Sequence, residues 1–227
     1  MLTFVLFDID GTLVSLDGAG SRSLNRAMED LLDVKNGFRD IDFAGKTDLQ
    51  IIREGLAPLK LADRDDLVHS LLDRYLAHLR TEVSTGRGHV KTGVRGLLSL
   101  LQNVPGIYLG LLTGNAEVGA RLKLEPFGLN QYFSVGAFGN DSEDRNLLLP
   151  IAAQRLQEAG SASVSYENCL VIGDTPKYVE CAHVHGASAI AVATGTYPLK
   201  ELEKTDAELV IADLSDTERI VGWIRRK

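Results

Sequence analysis

The first strongly patterned stretch is LTFVLF, residues 2–7, an unbroken apolar run that stops at an acid. Runs this short, with no polar alternation, suit strands buried on both faces of a parallel sheet. Similar runs recur at Ile107 to Leu112, at Cys169 to Ile172, at Ala189 to Thr194 and in AELVIAD near the end of the chain; Tyr132 to Phe138 is a weaker one. Helical patterns separate them. Val94, Leu97, Leu98 and Leu101 share one face, as do Leu147, Leu148, Ile151, Ala152, Leu156 and Ala159. Strands alternating with helices predict an α/β fold: a Rossmann-like parallel sheet with helices on both faces.

The rhythm breaks between the first and second strands. Residues 16–88 contain no strand-like run but several amphipathic stripes, the longest being Leu67, Val68, Leu71, Leu72, Tyr75, Leu76, Leu79 and Val83. Leu24, Ala27, Met28, Leu31 and Leu32 make another, and Thr47-Asp48-Leu49-Gln50 reads as a capping box opening a third. The pattern predicts an inserted α-helical cap domain over 16–88, with the α/β core formed by 1–15 and 89–227. Glycines flank the insert, in DGAG (Asp17 to Gly20) and GRG (Gly86 to Gly88). They read as two loops or, because both crossings fall there, as hinges of a moving lid.

Composition narrows the class. The chain has 227 residues, enough for a core that needs no disulfide staple. Its two cysteines, Cys169 and Cys181, fit a reducing compartment and read as structural. A formal charge of -7, with no basic cluster beyond Arg225, Arg226 and Lys227, argues against nucleic acid. No run is long enough to span a membrane, and MLTFVLFDID lacks the marks of a secretory signal, so a cytoplasmic location is expected.

Open α/β sheets bind ligands beyond the carboxyl ends of their strands. There the first strand delivers Asp8, Ile9, Asp10, Gly11 and Thr12, the second Thr113, Gly114 and Asn115, and the fourth Gly173, Asp174 and Thr175. Each piece alone is ordinary turn chemistry. Together they gather three carboxylates, because Asp8 and Asp10, two apart in extended chain, point the same way and meet Asp174. Clustered anions repel unless a cation joins them, and oxygen-only ligation suits a hard ion such as Mg²⁺.

FDIDGTLV, LLTGN and VIGDTP, in that order, resemble the first, second and fourth motifs of the haloacid dehalogenase-like hydrolase superfamily. The helical insert is similar to the cap of its phosphoglycolate phosphatase-like and β-phosphoglucomutase-like branch. The resemblance implies an Mg²⁺-dependent phosphatase acting on a small phosphorylated metabolite, as a monomer or homodimer. Asp8 would be the nucleophile that forms an aspartyl-phosphate. Asp10 would protonate the leaving alcohol and then activate water. Thr113 would hold the transferring phosphoryl group with Asn115, and Gly11, Thr12 and Gly114 would border the substrate. Asp8, Asp174 and Asp10, the last through its backbone carbonyl, would be the metal set. Arg145, in SEDRNLLLP, is the candidate for the family's third-motif cation, against the plainer reading of a solvated charge beside Glu143 and Asp144. Lys46, in FAGKTD, is the candidate cap contact to substrate, against a solvated lysine ahead of a helix cap.

One position departs from the pattern. The fourth motif ordinarily carries a second acid four residues after the first, and here that position is Tyr178. Four residues along a helix returns to the same face, so Tyr178 points toward the metal site. A phenol is neutral at pH 7, so a weaker hold on Mg²⁺ is expected. A β-phosphoglucomutase-like phosphomutase, or a low-activity protein that binds a phosphate ligand on this scaffold, are the alternatives.

Overall fold

The structure, a computed structural model, describes residues 2–160 and 164–226. Its centre is a six-stranded sheet in the order β5-β4-β1-β6-β7-β8. The strands are β1 (Thr3–Phe7), β4 (Ile107–Leu112), β5 (Val135–Ala137), β6 (Cys169–Gly173), β7 (Ser188–Val192) and β8 (Leu209–Ile211), every pairing parallel. The continuous apolar runs follow from this. Val5 and Phe7 of β1 face one core, against α4 (Val94–Leu101) and α9 (Thr217–Arg226). Phe4 and Leu6 face the other, against α6 (Leu148–Glu158) and α7 (Pro176–His183). With both faces covered, alternation has no polar side to record. Gly110 of β4 lies under the Phe4 ring, where a Cβ would come within 2.6 Å.

The strand order reverses around β1, so β4 and β6 flank it and their carboxyl ends open on one crevice. The register sets Phe7 beside Leu111 and Ile172, and the Asp8 N–H donates to the Ile172 carbonyl at 3.0 Å. The last residues of three strands are thereby brought level.

Helices α1 (Ala19–Leu32), α2 (Asp48–Leu56) and α3 (Asp65–Val83) lie between β1 and β4 in the chain. Both halves of the capping box form at α2: Thr47 Oγ1 accepts from the Gln50 N–H, and Gln50 Oε1 accepts from the Thr47 N–H. Helix α1 packs on α3, and α3 lies against α5 (Glu117–Leu124) of the α/β part. A two-residue antiparallel ladder, β2 (Val14–Ser15) with β3 (His89–Val90), clasps the two crossings. Two-residue strands carry no periodicity, which is why the hydrophobic pattern did not predict them. Asp17, Gly18, Gly86 and Gly88 at these crossings all have left-handed backbone.

Among the described residues, no helix is long and apolar enough to cross a membrane. Arg225 and Arg226 close α9, and Lys227 lies outside the described residues. His183 and His185, two apart in sequence, pair separately with Glu208 and with the Asn146 carbonyl. Leu71, fully buried in α3, anchors the inserted helices in the larger core. Leu71→Ala is expected to lower stability by about 2–5 kcal/mol in urea unfolding, the usual range for a buried leucine truncated to alanine.

Candidate active site

Asp8 follows β1 directly and is buried. Thr113, just past β4, donates its hydroxyl to Asp8 Oδ1 at 3.0 Å, and Thr12 donates to Oδ2 at 3.5 Å. The Tyr178 phenol is a further donor to the same carboxylate. Burial pushes the Asp8 carboxyl up to about 6; Arg145 and the Tyr178 hydrogen bond oppose the rise and the charge of Asp10 adds to it. Asp174, beyond β6, is also buried, and burial together with the charge of Asp8 pushes it up to about 8. Glycines make room for it. Gly11 has φ +81°, and a Cβ at Gly11 or at Gly195 would overlap the Asp174 carboxylate. Thr194 Oγ1 donates to the Gly11 carbonyl at 2.6 Å, fixing that approach.

Arg145 enters from the turn ahead of α6. Its Nε donates to the Gly45 carbonyl at 3.0 Å and its Nη2 to the Lys46 carbonyl at 3.3 Å. The guanidinium lies over the Tyr178 ring, 4.2 Å from its centroid. Arg145 Nη1 and Thr175 Oγ1 are buried without a hydrogen-bond partner among the described residues, and both residues line one cleft of about 350 Å³. Asp8, Asp10, Gly11, Lys46, Thr113, Gly114, Asn115, Asp174 and Tyr178 line it too. Two buried donors thus stand in this cleft beside two buried carboxylates.

The arrangement corrects two expectations and bears on a third. First, the carboxylates of Asp8, Asp10 and Asp174 do not converge as a set of three; among the described residues no trio of His, Cys, Asp or Glu side chains forms a ligand set. Strand β1 ends at Phe7, so the two-residue repeat does not carry through to Asp10. Its carboxylate turns instead to Asn115 Nδ2 at 2.8 Å and Lys123 Nζ at 2.6 Å. Second, Thr12 is fully buried behind Asp8 and outside the cleft lining, so it braces the carboxylate and is not placed to touch a substrate. The third expectation concerns Lys46, which lines the cleft; its ammonium is paired with Glu54 and its backbone carbonyl accepts from Arg145.

Gly114 is needed at this seam. A Cβ there would strike the Lys46 carbonyl, and the Gly114 carbonyl accepts the Asp48 N–H at 2.7 Å. Lys91, Lys123, Thr175, Thr194 and Gly195 escaped the motif reading. Lys91 and Lys123 stand in ordinary helix and loop sequence, and Thr194 and Gly195 follow a strand with no acid at its end. Thr175, named only as part of GDT, had no role assigned to it.

A model of haloacid dehalogenase-like hydrolases matches residues 5–192. Phosphoglycolate phosphatase from Rhodospirillum rubrum is 29% identical over 225 residues, 96% of this chain and 90% of that protein. Phosphoglycolate phosphatase from Agrobacterium fabrum is 25% identical over 213 residues, 92% of this chain and 88% of that one. The crystal structure of CbbY from Rhodobacter sphaeroides in complex with phosphate superposes with a TM-score of 0.70 over 95% of this chain and 96% of that one; at 19% identity it shows the fold alone.

The raised acids have a measurable consequence. Asp174 ionises near 3.8 when exposed in the unfolded chain and at about 8 in the fold, so between those values the folded protein holds a proton the unfolded chain has released. The stability linked to that proton is full below about pH 4 and is lost as pH rises through about 8. In chelator, Tm of the parent should fall more steeply from pH 5 to 9 than that of Asp174→Asn, whose amide cannot ionise; parallel curves would refute the shift.

Proposed function

We propose that this chain, a phosphatase belonging to the haloacid dehalogenase-like hydrolase family, hydrolyses a small phosphorylated metabolite through a phosphoryl ester on Asp8. The observation that carries the reading is Asp8 itself. It is a buried carboxylate at the sheet's switch point, held by Thr113, with the partnerless Nη1 of Arg145 in the same cleft. Residues 16–88 are read as the cap and residues 1–15 and 89–227 as the core. The cleft lies at their seam and suits a ligand of few heavy atoms.

Asp8 attacks phosphorus through one carboxylate oxygen as the bond to the leaving oxygen breaks. Asp10 gives that oxygen its proton. Asp10 then takes a proton from water, the water oxygen bonds to phosphorus, and Asp8 leaves as carboxylate with inorganic phosphate released. Thr113 Oγ1 and the Arg145 guanidinium hydrogen-bond the phosphoryl oxygens; a guanidinium offers a planar fork suited to them. Asn115 orients both Thr113 and Asp10, being 2.8 Å from each.

The donor set fits Mg²⁺. Asp8 and Asp174 are hard oxygen ligands buried close to each other, and the Asp10 backbone carbonyl would complete the protein's share. When bound, the ion supplies positive charge that lets an anionic nucleophile approach an anionic phosphate. Tyr178, buried and held neutral, adds no charge, so weaker Mg²⁺ binding is expected than with an acid there.

Tyr178 also favours a second reading, a protein that binds a phosphate ligand and turns it over slowly. One assay separates the two. With Mg²⁺, the parent should release phosphate from p-nitrophenyl phosphate and from phosphoglycolate, the compound named for two relatives. Asp8→Asn should lose at least about a thousandfold, as expected on removing a covalent nucleophile. A parent that binds phosphate without turnover supports the second reading, and an active Asp8→Asn sinks the first.

A further inference from the structure

We propose that Lys123 is the positioning residue that holds Asp10 in place for proton transfer to the leaving group, and that the inserted helices complete its socket. The proposal rests on the acid–base role given to Asp10 above.

Lys123 projects from α5 and is 5% exposed. Its neighbours Leu122 and Leu124 are core residues, and an apolar side chain at 123 would pack α5 without the cost of burying an ammonium. Two of its three N–H groups have side-chain acceptors, Asp10 Oδ2 at 2.6 Å and Asn115 Oδ1, and the Tyr75 phenol lies close enough to bear on its charge. Two hydrogen bonds on one ammonium hold the head group against Asp10. Asp48 supplies a second nearby negative charge and is itself pinned by the Ala116 N–H at 2.8 Å.

The sources of these partners matter. Asp10 and Asn115 belong to the strand ends, while Tyr75 and Asp48 belong to α3 and α2. Lys123 therefore binds Asp10 from inside a socket that the inserted helices wall. On Asp10, Lys123 and Asn115 both take Oδ2, which leaves Oδ1 with no hydrogen-bond partner among the described residues. Asp10 lines the cleft and its side chain is half exposed, so the pair is not a packing element of the core. In the step, the proton on Asp10 passes to the leaving oxygen as its bond to phosphorus breaks and the bond from Asp8 forms. Fixing Oδ2 fixes which oxygen does this.

A merely structural ion pair predicts a uniform loss when broken; a positioning residue predicts a loss that depends on the leaving group. An alkoxide needs the proton as it departs, whereas p-nitrophenolate leaves without it. The parameter to compare is kcat/KM, which ends at leaving-group departure and so omits the later hydrolysis of the ester on Asp8. In the Mg²⁺-loaded full chain, Lys123→Met should lower kcat/KM for phosphoglycolate about 100-fold, the low end of what general acid catalysis contributes, and that for p-nitrophenyl phosphate by no more than about threefold. Lys123→Arg should move the ratio back toward the parent. Equal losses on both substrates, or no loss on either, overturn the proposal. Should Lys123→Met fail to fold, Lys123→Gln, which keeps an N–H donor and loses the charge, is read by the same ratio. A parent inactive on both substrates would instead refute the phosphatase mechanism and leave nothing for Lys123 to position.

Discussion

The structure turns on a charge that is expensive to bury. Asp8 sits at the end of the central strand with sheet on both sides, and its carboxylate is removed from water. Nearly everything around it serves to make that tolerable. Thr113, Thr12 and Tyr178 bring hydroxyl donors, and Arg145 brings the one guanidinium. Asp174 works in the other direction, adding a second buried negative charge close by. Two buried carboxylates held against one buried guanidinium, with Lys91 on the cleft wall, make a buried polar site of the kind more often found where a ligand binds than where a fold is simply stabilised.

Much of this was legible in the sequence, for identifiable reasons. The buried parallel strands announce themselves because a strand covered on both faces has no polar positions to interrupt it, as LTFVLF and CLVI show. Strand-end residues are legible for a related reason: the apolar run points at them. The capping box at Thr47 was readable because it is a local interaction, complete within four residues. What sequence could not supply was direction once the chain leaves regular structure. Asp10 looked like a partner of Asp8 by a rule that holds only while the strand continues, and the strand had already ended. Lys46 has an ammonium suited to phosphate and an acid eight residues on that takes it. Lys123 was invisible because its meaning lies wholly in contacts with residues 48, 75, 10 and 115, four places far apart in the chain.

Tyr178 shows how a departure from pattern is absorbed. Its ring passes so close to Gly173 that a Cβ there would overlap it, so a bulky group at 178 depends on β6 ending in glycine. The same ring then carries the Arg145 guanidinium, and the phenol reaches Asp8. Replacing an acid by a phenol therefore does more than subtract a charge. It supplies a flat surface for a planar cation and a neutral group beside Asp8, which an acid could not do without pairing with the arginine directly.

That change alters what the pocket asks of its ligands. Lys46 and Lys91 also line the cleft, so Arg145 is not its sole cation. With Tyr178 in place of an acid, the side of the cleft toward Asp8 and Asp174 carries one negative charge fewer. Arg145 gains from the same exchange. Its hydrogen bonds run to backbone carbonyls at 45 and 46 and not to a carboxylate, so its charge is not spent on a neighbouring acid. Those carbonyls belong to the inserted segment, as do Tyr75 and Asp48 around Lys123. Arg145 and Lys123 thus both have contacts on the insert, so the placement of both cations depends on how that segment seats over the strand ends.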